Sequence, residues 1–138
     1  MDHETHTIQL WIDNDKGMCR HWTGHTREVV AHLKNYLELS EFAHLNTIEM
    51  FDDKEKVTQI VRRRLKDGFE QAVYEQEITP VLHDLLMGAM SEVRWQRLAE
   101  WLVDKVTDGG QVDLETIRRD GMYLPNHWRK YVTGDATR

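Results

Sequence analysis

Four side chains in one short stretch could together hold a metal ion: His21, His25, Glu28 and His32, spaced four, three and four residues apart. On a helix that spacing stacks them on successive turns of a single stripe, the way imidazole and carboxylate ligands converge on a cation in helical proteins. At about 100° per residue, and with Trp22 as origin, the stripe falls roughly 60° to 120° from the apolar centre of the helix. That is the shoulder between core and solvent, and solvated boundary residues occupy such a shoulder equally well. An ion would need further ligands from a second helix. His44, His83, Asp84 and His127 are the candidates, without diagnostic spacing, and Cys19 lies on the opposite shoulder.

The pair His83-Asp84 is similar to the paired residues of helical HD-type metal phosphohydrolases, which also use a His upstream and an Asp downstream. His44 with Asp104 or Asp108 could take those places, but the Gly and Lys that often follow the pair are missing. Asp84 has a simpler use near the positive end of the helix that Pro80 opens. A different chemistry is offered by Arg62, Arg63 and Lys66, which share an outward helical face and could contact phosphates; Asp67 and Glu70 within helical reach also make it a charge-laced solvent face. At the C-terminal end, Tyr123, Trp128, Arg129, Lys130 and Tyr131 set aromatics beside a basic pair. Such a segment could clasp a partner or stack on a base, or dock a terminal helix on the body of the protein. No Walker loop, dinucleotide glycine fingerprint, HExxH or nucleophile elbow is present.

The elements that must position these residues are helical almost throughout. Ile8, Trp11 and Ile12 predict a short helix over 4–12, and Met18, Trp22, Val29, Leu33, Tyr36 and Leu37 predict one over about 15–39, capped by Asn14 or Asp15. Phe42, Leu45, Ile48 and Phe51 suggest a short helix after Ser40. Asp52 with Glu55 opens a long helix to about Glu77, with Val57, Ile60, Val61, Leu65, Phe69, Ala72 and Val73 inward. Thr79-Pro80 starts the next, with Leu82, Leu85, Leu86, Ala89 and Met90 as its face. Ser91 can cap again before Trp95, Leu98, Ala99, Leu102, Val103 and Val106, a run that Asp108, Gly109 and Gly110 end. Asp113 is placed to cap a short helix through about Arg119, and Pro125 to open a last one with Trp128 and Tyr131. The expected architecture is an all-α bundle of about six helices in a single domain over 1–138.

Composition narrows the class. A chain of 138 residues with 40% apolar and 30% charged residues and five Trp is expected to bury one core. The net charge of -6 disfavours nonspecific nucleic-acid binding. A lone Cys19 excludes an internal disulfide and a four-cysteine zinc site, and no run reaches the roughly 20 apolar residues of a membrane span. The expectation is a cytoplasmic protein without cofactor and without membrane contact.

Leu10-Trp11-Ile12-Asp13-Asn14-Asp15-Lys16-Gly17 joins an apolar segment to a polar knot, and Ala89-Met90-Ser91-Glu92-Val93 with Trp95, Leu98, Ala99 and Glu100 lies later in the chain. Together these segments resemble a family of small helical proteins of phages, plasmids and related mobile DNA, in which an L-W-[IL]-[DN]-N-D knot precedes an A-[LM]-S-E-V-x-W-x-x-[IL]-A-E segment. The resemblance covers about a fifth of the chain and brings no catalytic residues with it. It implies a setting in which small acidic proteins bind host machinery, including anti-CRISPR and antirestriction inhibitors of nucleic-acid defence complexes. The expected function is therefore stoichiometric binding to a host or phage macromolecule, a protein or ribonucleoprotein complex, and not catalysis. The alternatives are a metal-dependent hydrolase on the His/Glu stripe and a small nucleic-acid accessory protein using the Arg run. The knot itself reads as a helix joint, with Trp11 and Trp22 able to meet across it.

Overall fold

The computed structural model describes residues 2–107, and beyond them the two-residue strands Val112–Asp113 and Val132–Thr133, paired in parallel. The helices expected at Asp113 and Pro125, and the side chains of Tyr123, Trp128, Arg129 and Lys130, lie outside the described residues. Residues 2–107 are all-α: α1 His3–Asn14, α2 Lys16–Ala31, α3 Leu33–Leu37, α4 Asp53–Tyr74, α5 Pro80–Ser91 and α6 Trp95–Thr107, with a 3-10 turn Ala43–Thr47 before α4. No helix among the described residues is long and apolar enough to cross a membrane.

Short polar side chains start most of these helices by accepting otherwise unpaired N–H groups. Asp2 accepts from the Thr5 N–H, Asp15 from Met18 and Asp52 from Glu55, each at 2.9 Å. Thr79 accepts from Leu82 at 3.3 Å ahead of Pro80. The polar knot is thus a one-residue joint at Asp15, whose extended backbone turns α1 into α2. Asp13 reaches across from it to Lys105 of α6 at 3.0 Å. Ser91 caps nothing; its hydroxyl donates back to the Gly88 carbonyl at 2.6 Å.

The expected helix over 15–39 breaks at His32, where φ is -122° and ψ 33°. Val29, Val30, Ala31 and Leu33 are all buried, yet on a straight helix they would spread over about 200° of its circumference. A change of direction lets all four face the core, and the adjacent β-branched valines weaken the helical preference just before it.

Helices α4 and α6 form the central pair, with Val57, Ile60, Val61 and Leu65 of one and Leu98, Leu102 and Val103 of the other at 0% exposure. Side chains of this kind contribute about 1.5–3 kcal/mol each when fully buried. At one end the rings stack in series: Trp22 lies on Phe69 at 6.0 Å and 13°, and Phe69 tilts against Trp95 at 5.8 Å. Trp22 passes so close to α4 that a Cβ at Gly68 would meet its ring at 3.0 Å. It does not meet Trp11, which is more than half exposed. Ala72 is exposed as well, at the far end of α4.

The expected buried face of the fifth helix is also corrected. No residue of α5 is buried, although Leu82, Leu85 and Leu86 were expected to pack. The helix touches the body chiefly through partly buried His83, Met87 and Met90, with His83 against Tyr74 at 5.1 Å. Periodicity marks an apolar face but does not say whether the same chain covers it.

Candidate functional site

The His/Glu stripe does not converge. The His21 ring stands edge-on to Trp22 at 4.8 Å, and the His25 ring is edge-on to both Trp22 and Tyr36, at 6.0 and 6.1 Å. Nε2 of His25 is buried without a hydrogen-bond partner. The Glu28 carboxylate lies close enough to Tyr36 to act on its hydroxyl, and His32 sits in the kink, beside a shallow cavity of about 480 Å³ that it lines with Glu28, Asn35, Tyr36 and Leu39. Burial first, and then the Arg64 guanidinium, push the His25 pKa below the ordinary imidazole range; the same field opposes a second cation there. Burial, followed by Glu28, raises the Tyr36 hydroxyl. Among the described residues no group of three or more His, Cys, Asp or Glu is placed to hold a metal ion. His83 and Asp84 stand 3.8 Å apart, with the His83 ring against Tyr74, and Asp104 pairs with Lys54 at 3.0 Å.

The basic run is occupied locally. Arg62 donates to Gln59 at 3.1 Å, Arg63 to Asp67 at 3.3 Å, and Lys66 stands 4.0 Å from Glu70. Arg64, which the outward-face reading passed over, turns inward, pairing with Glu41 at 2.7 Å and covering the Phe42 ring at 5.2 Å.

What the structure does assemble is an apolar surface along α1 and α5. Val81 is 70% exposed, Leu85 65% and Trp11 58%, with Leu82 and Leu86 also exposed. On the α5 helical wheel, residues 81, 85 and 88 form a crest and 82, 86 and 89 the shoulder facing α1, so that the exposed apolar arc spans about 160°. A helix apolar over so much of its surface is normally enclosed, and contiguous exposed apolar patches of several hundred Å² mark interaction sites.

Between the two helices runs a groove of about 260 Å³ with Trp11 and Leu86 as walls, Ile8, Met90 and Val93 toward the floor, and Glu4 among its polar lining. Its walls are set by two contacts at one end. The buried Thr5 hydroxyl of α1 accepts the Arg94 N–H at 2.8 Å in the turn between α5 and α6. The Arg94 guanidinium then meets Asp2 at 3.2 Å. The Thr5 hydrogen bonds, ahead of Arg94, hold the Asp2 carboxyl below its ordinary pKa. The cap of α1 is thereby also the fastening of the groove. The arrangement provides apolar burial and shape for a ligand, not a nucleophile or a metal.

No family model matches the chain, and neither a curated protein nor a solved structure does.

Proposed function

We propose that this chain acts by stoichiometric binding to another macromolecule, with the α1–α5 surface as its contact. One observation carries the reading: α5 is predominantly apolar and none of its residues is buried. The buried core of an interface is more apolar than the rest of a protein surface and poor in charge, as this face is. The resemblance of the Leu10–Gly17 and Ala89–Glu100 segments to mobile-element proteins supports a host nucleic-acid defence complex, in the host cytoplasm, as the partner. The chain would then be an inhibitor by occupancy, of the anti-CRISPR or antirestriction kind.

The test compares the wild-type chain with Leu85→Glu in co-purification with defence complexes reconstituted from a host, and in their nuclease assays. A complex of fixed stoichiometry that the substitution dissolves, with nuclease inhibition lost in parallel, supports the reading. Association and inhibition unaffected by Leu85→Glu would remove α5 from the function, and nuclease activity untouched by either form would remove the inhibitor.

A further inference from the structure

The local partners of the basic run are unequal. Arg63 and Lys66 stand beside the carboxylates of Asp67 and Glu70, but among the described residues no carboxylate pairs with Arg62. Its Nε donates to the neutral Gln59 amide at 3.1 Å, and Gln59 in turn donates to Gln96 of α6 at 3.0 Å. Two amides thus hold a partly buried guanidinium in place from the neighbouring helix and leave its charge unmatched.

Arg62 lines a small cavity of about 50 Å³ between α4 and the 3-10 turn, with Arg63 beside it and His44 contributed by the turn. The buried Phe42 and Leu45 supply its apolar lining, and a wall of low polarity strengthens charge interactions beside it. Glu41 is the single carboxylate in the lining, and Arg64 takes it up at 2.7 Å. The Arg63–Asp67 pair, 3.3 Å between side chains about half exposed, is worth little and yields to a stronger anion. In a chain of net charge -6, donors and positive charge are here in local excess. Volume sets the size of what fits: a water takes about 30 Å³ in the liquid, so the cavity admits one compact oxyanion and has no room for a sugar or a base.

We propose that this cavity binds a phosphate group bearing two negative charges, either inorganic phosphate or the terminal phosphate of a monoester that enters end-on. Two guanidinium groups match the dianion and its oxygens, and the His44 ring adds a donor from the opposite wall. A phosphodiester carries one charge and has two of its oxygens blocked by substituents, so a nucleic-acid backbone is the poorer match. The site shares no residue with the α1–α5 groove and does not depend on that reading.

Isothermal titration of the full chain in low-salt buffer tests this with inorganic phosphate, adenosine monophosphate, its cyclic diester and adenosine. Saturable binding of the first two is expected, about tenfold or more tighter than that of the cyclic diester, with none of adenosine. Equal affinity for phosphate and the nucleotide supports the proposal with the phosphate group alone as ligand, and a tighter nucleotide supports it with a nucleotide as the source. Arg62→Gln is expected to weaken phosphate binding about tenfold or more, with the melting temperature changed by no more than about 2 °C. His44→Ala, at an exposed position, is expected to weaken it about two- to tenfold, and carries the test if Arg62→Gln does not fold. The proposal is overturned by the absence of saturable binding of both phosphate and the monoester, by a cyclic diester or adenosine bound as tightly as the monoester, or by unchanged binding in whichever variant folds.

Discussion

His25 shows how little a residue's type says about its task until its surroundings are known. In sequence it belongs to a ligand stripe; in the folded protein its ring packs against Trp22 and Tyr36, with Nε2 buried. The groups that face it are Arg64 from α4, and Glu28 and His21 from its own helix. Burial and Arg64 lower its pKa in the folded state, so the unfolded chain takes up the proton first as pH falls. Stability contributed by keeping this imidazole neutral is full above the unfolded pKa of about 6.5, and declines as pH drops from there toward the lower folded value. Urea unfolding between about pH 7.5 and 5 should show that decline, and His25→Phe should flatten it; an unchanged slope in the variant would assign the acid sensitivity to other groups. Thr5 makes a second case. Thr5→Val leaves the Arg94 N–H without its acceptor in a partly buried turn, and is expected to cost about 1–3 kcal/mol in the same measurement.

At the scale of the element, the joint between α1 and α2 was legible because capping chemistry is local: an Asp whose side chain reaches the N–H three residues on needs no tertiary information. Asp15→Ala is expected to lose about 1 kcal/mol in urea unfolding. The glycines divide in a way that sequence cannot show. Gly24 of α2 has nothing within 4 Å of an added Cβ, whereas one at Gly68 of α4 meets Trp22 at 3.0 Å. Gly24→Ala should therefore gain about 0.5–1 kcal/mol from helix propensity. Gly68→Ala crowds Trp22 where it lies on Phe69, and is expected to lose stability and to shift tryptophan emission; a gain equal to that at Gly24 would show the stack to be soft. The break at His32 and the exposure of α5 were illegible for a related reason: both depend on which neighbours lie alongside, and neither is encoded in the period of the apolar residues.

For the molecule as a whole, the core is built on the central α4–α6 pair, and no residue of α5 is fully buried in it. Leu102→Ala, in the fully buried part of α6, is expected to cost about 2–5 kcal/mol. Leu85→Glu, on a helix with no buried residue, is expected to change thermal stability by no more than about 0.5 kcal/mol while removing partner binding. That contrast, read by calorimetry and co-purification on the same two variants, separates the scaffold from the surface it displays. It also explains why the histidines and arginines stand out in the sequence while the α5 surface does not. Titratable groups announce themselves by type, whereas an interface built of Leu, Val and Trp is indistinguishable in sequence from core.

The sequence by itself determined the all-α class, the helix starts at Asp52 and Thr79-Pro80 and, to within Asn14 or Asp15, that of α2, and most of the inward face of α4 and α6, because capping, proline placement and apolar period act over a few residues. Tertiary structure alone decided that His21, His25, Glu28 and His32 do not share a centre, that Arg64 turns inward, and that α5 stands with its apolar arc open beside Trp11. Those outcomes depend on which distant segments approach one another. Only long-range contacts such as Thr5 with Arg94 and Asp13 with Lys105 set that approach, and nothing in the local pattern of either partner specifies it.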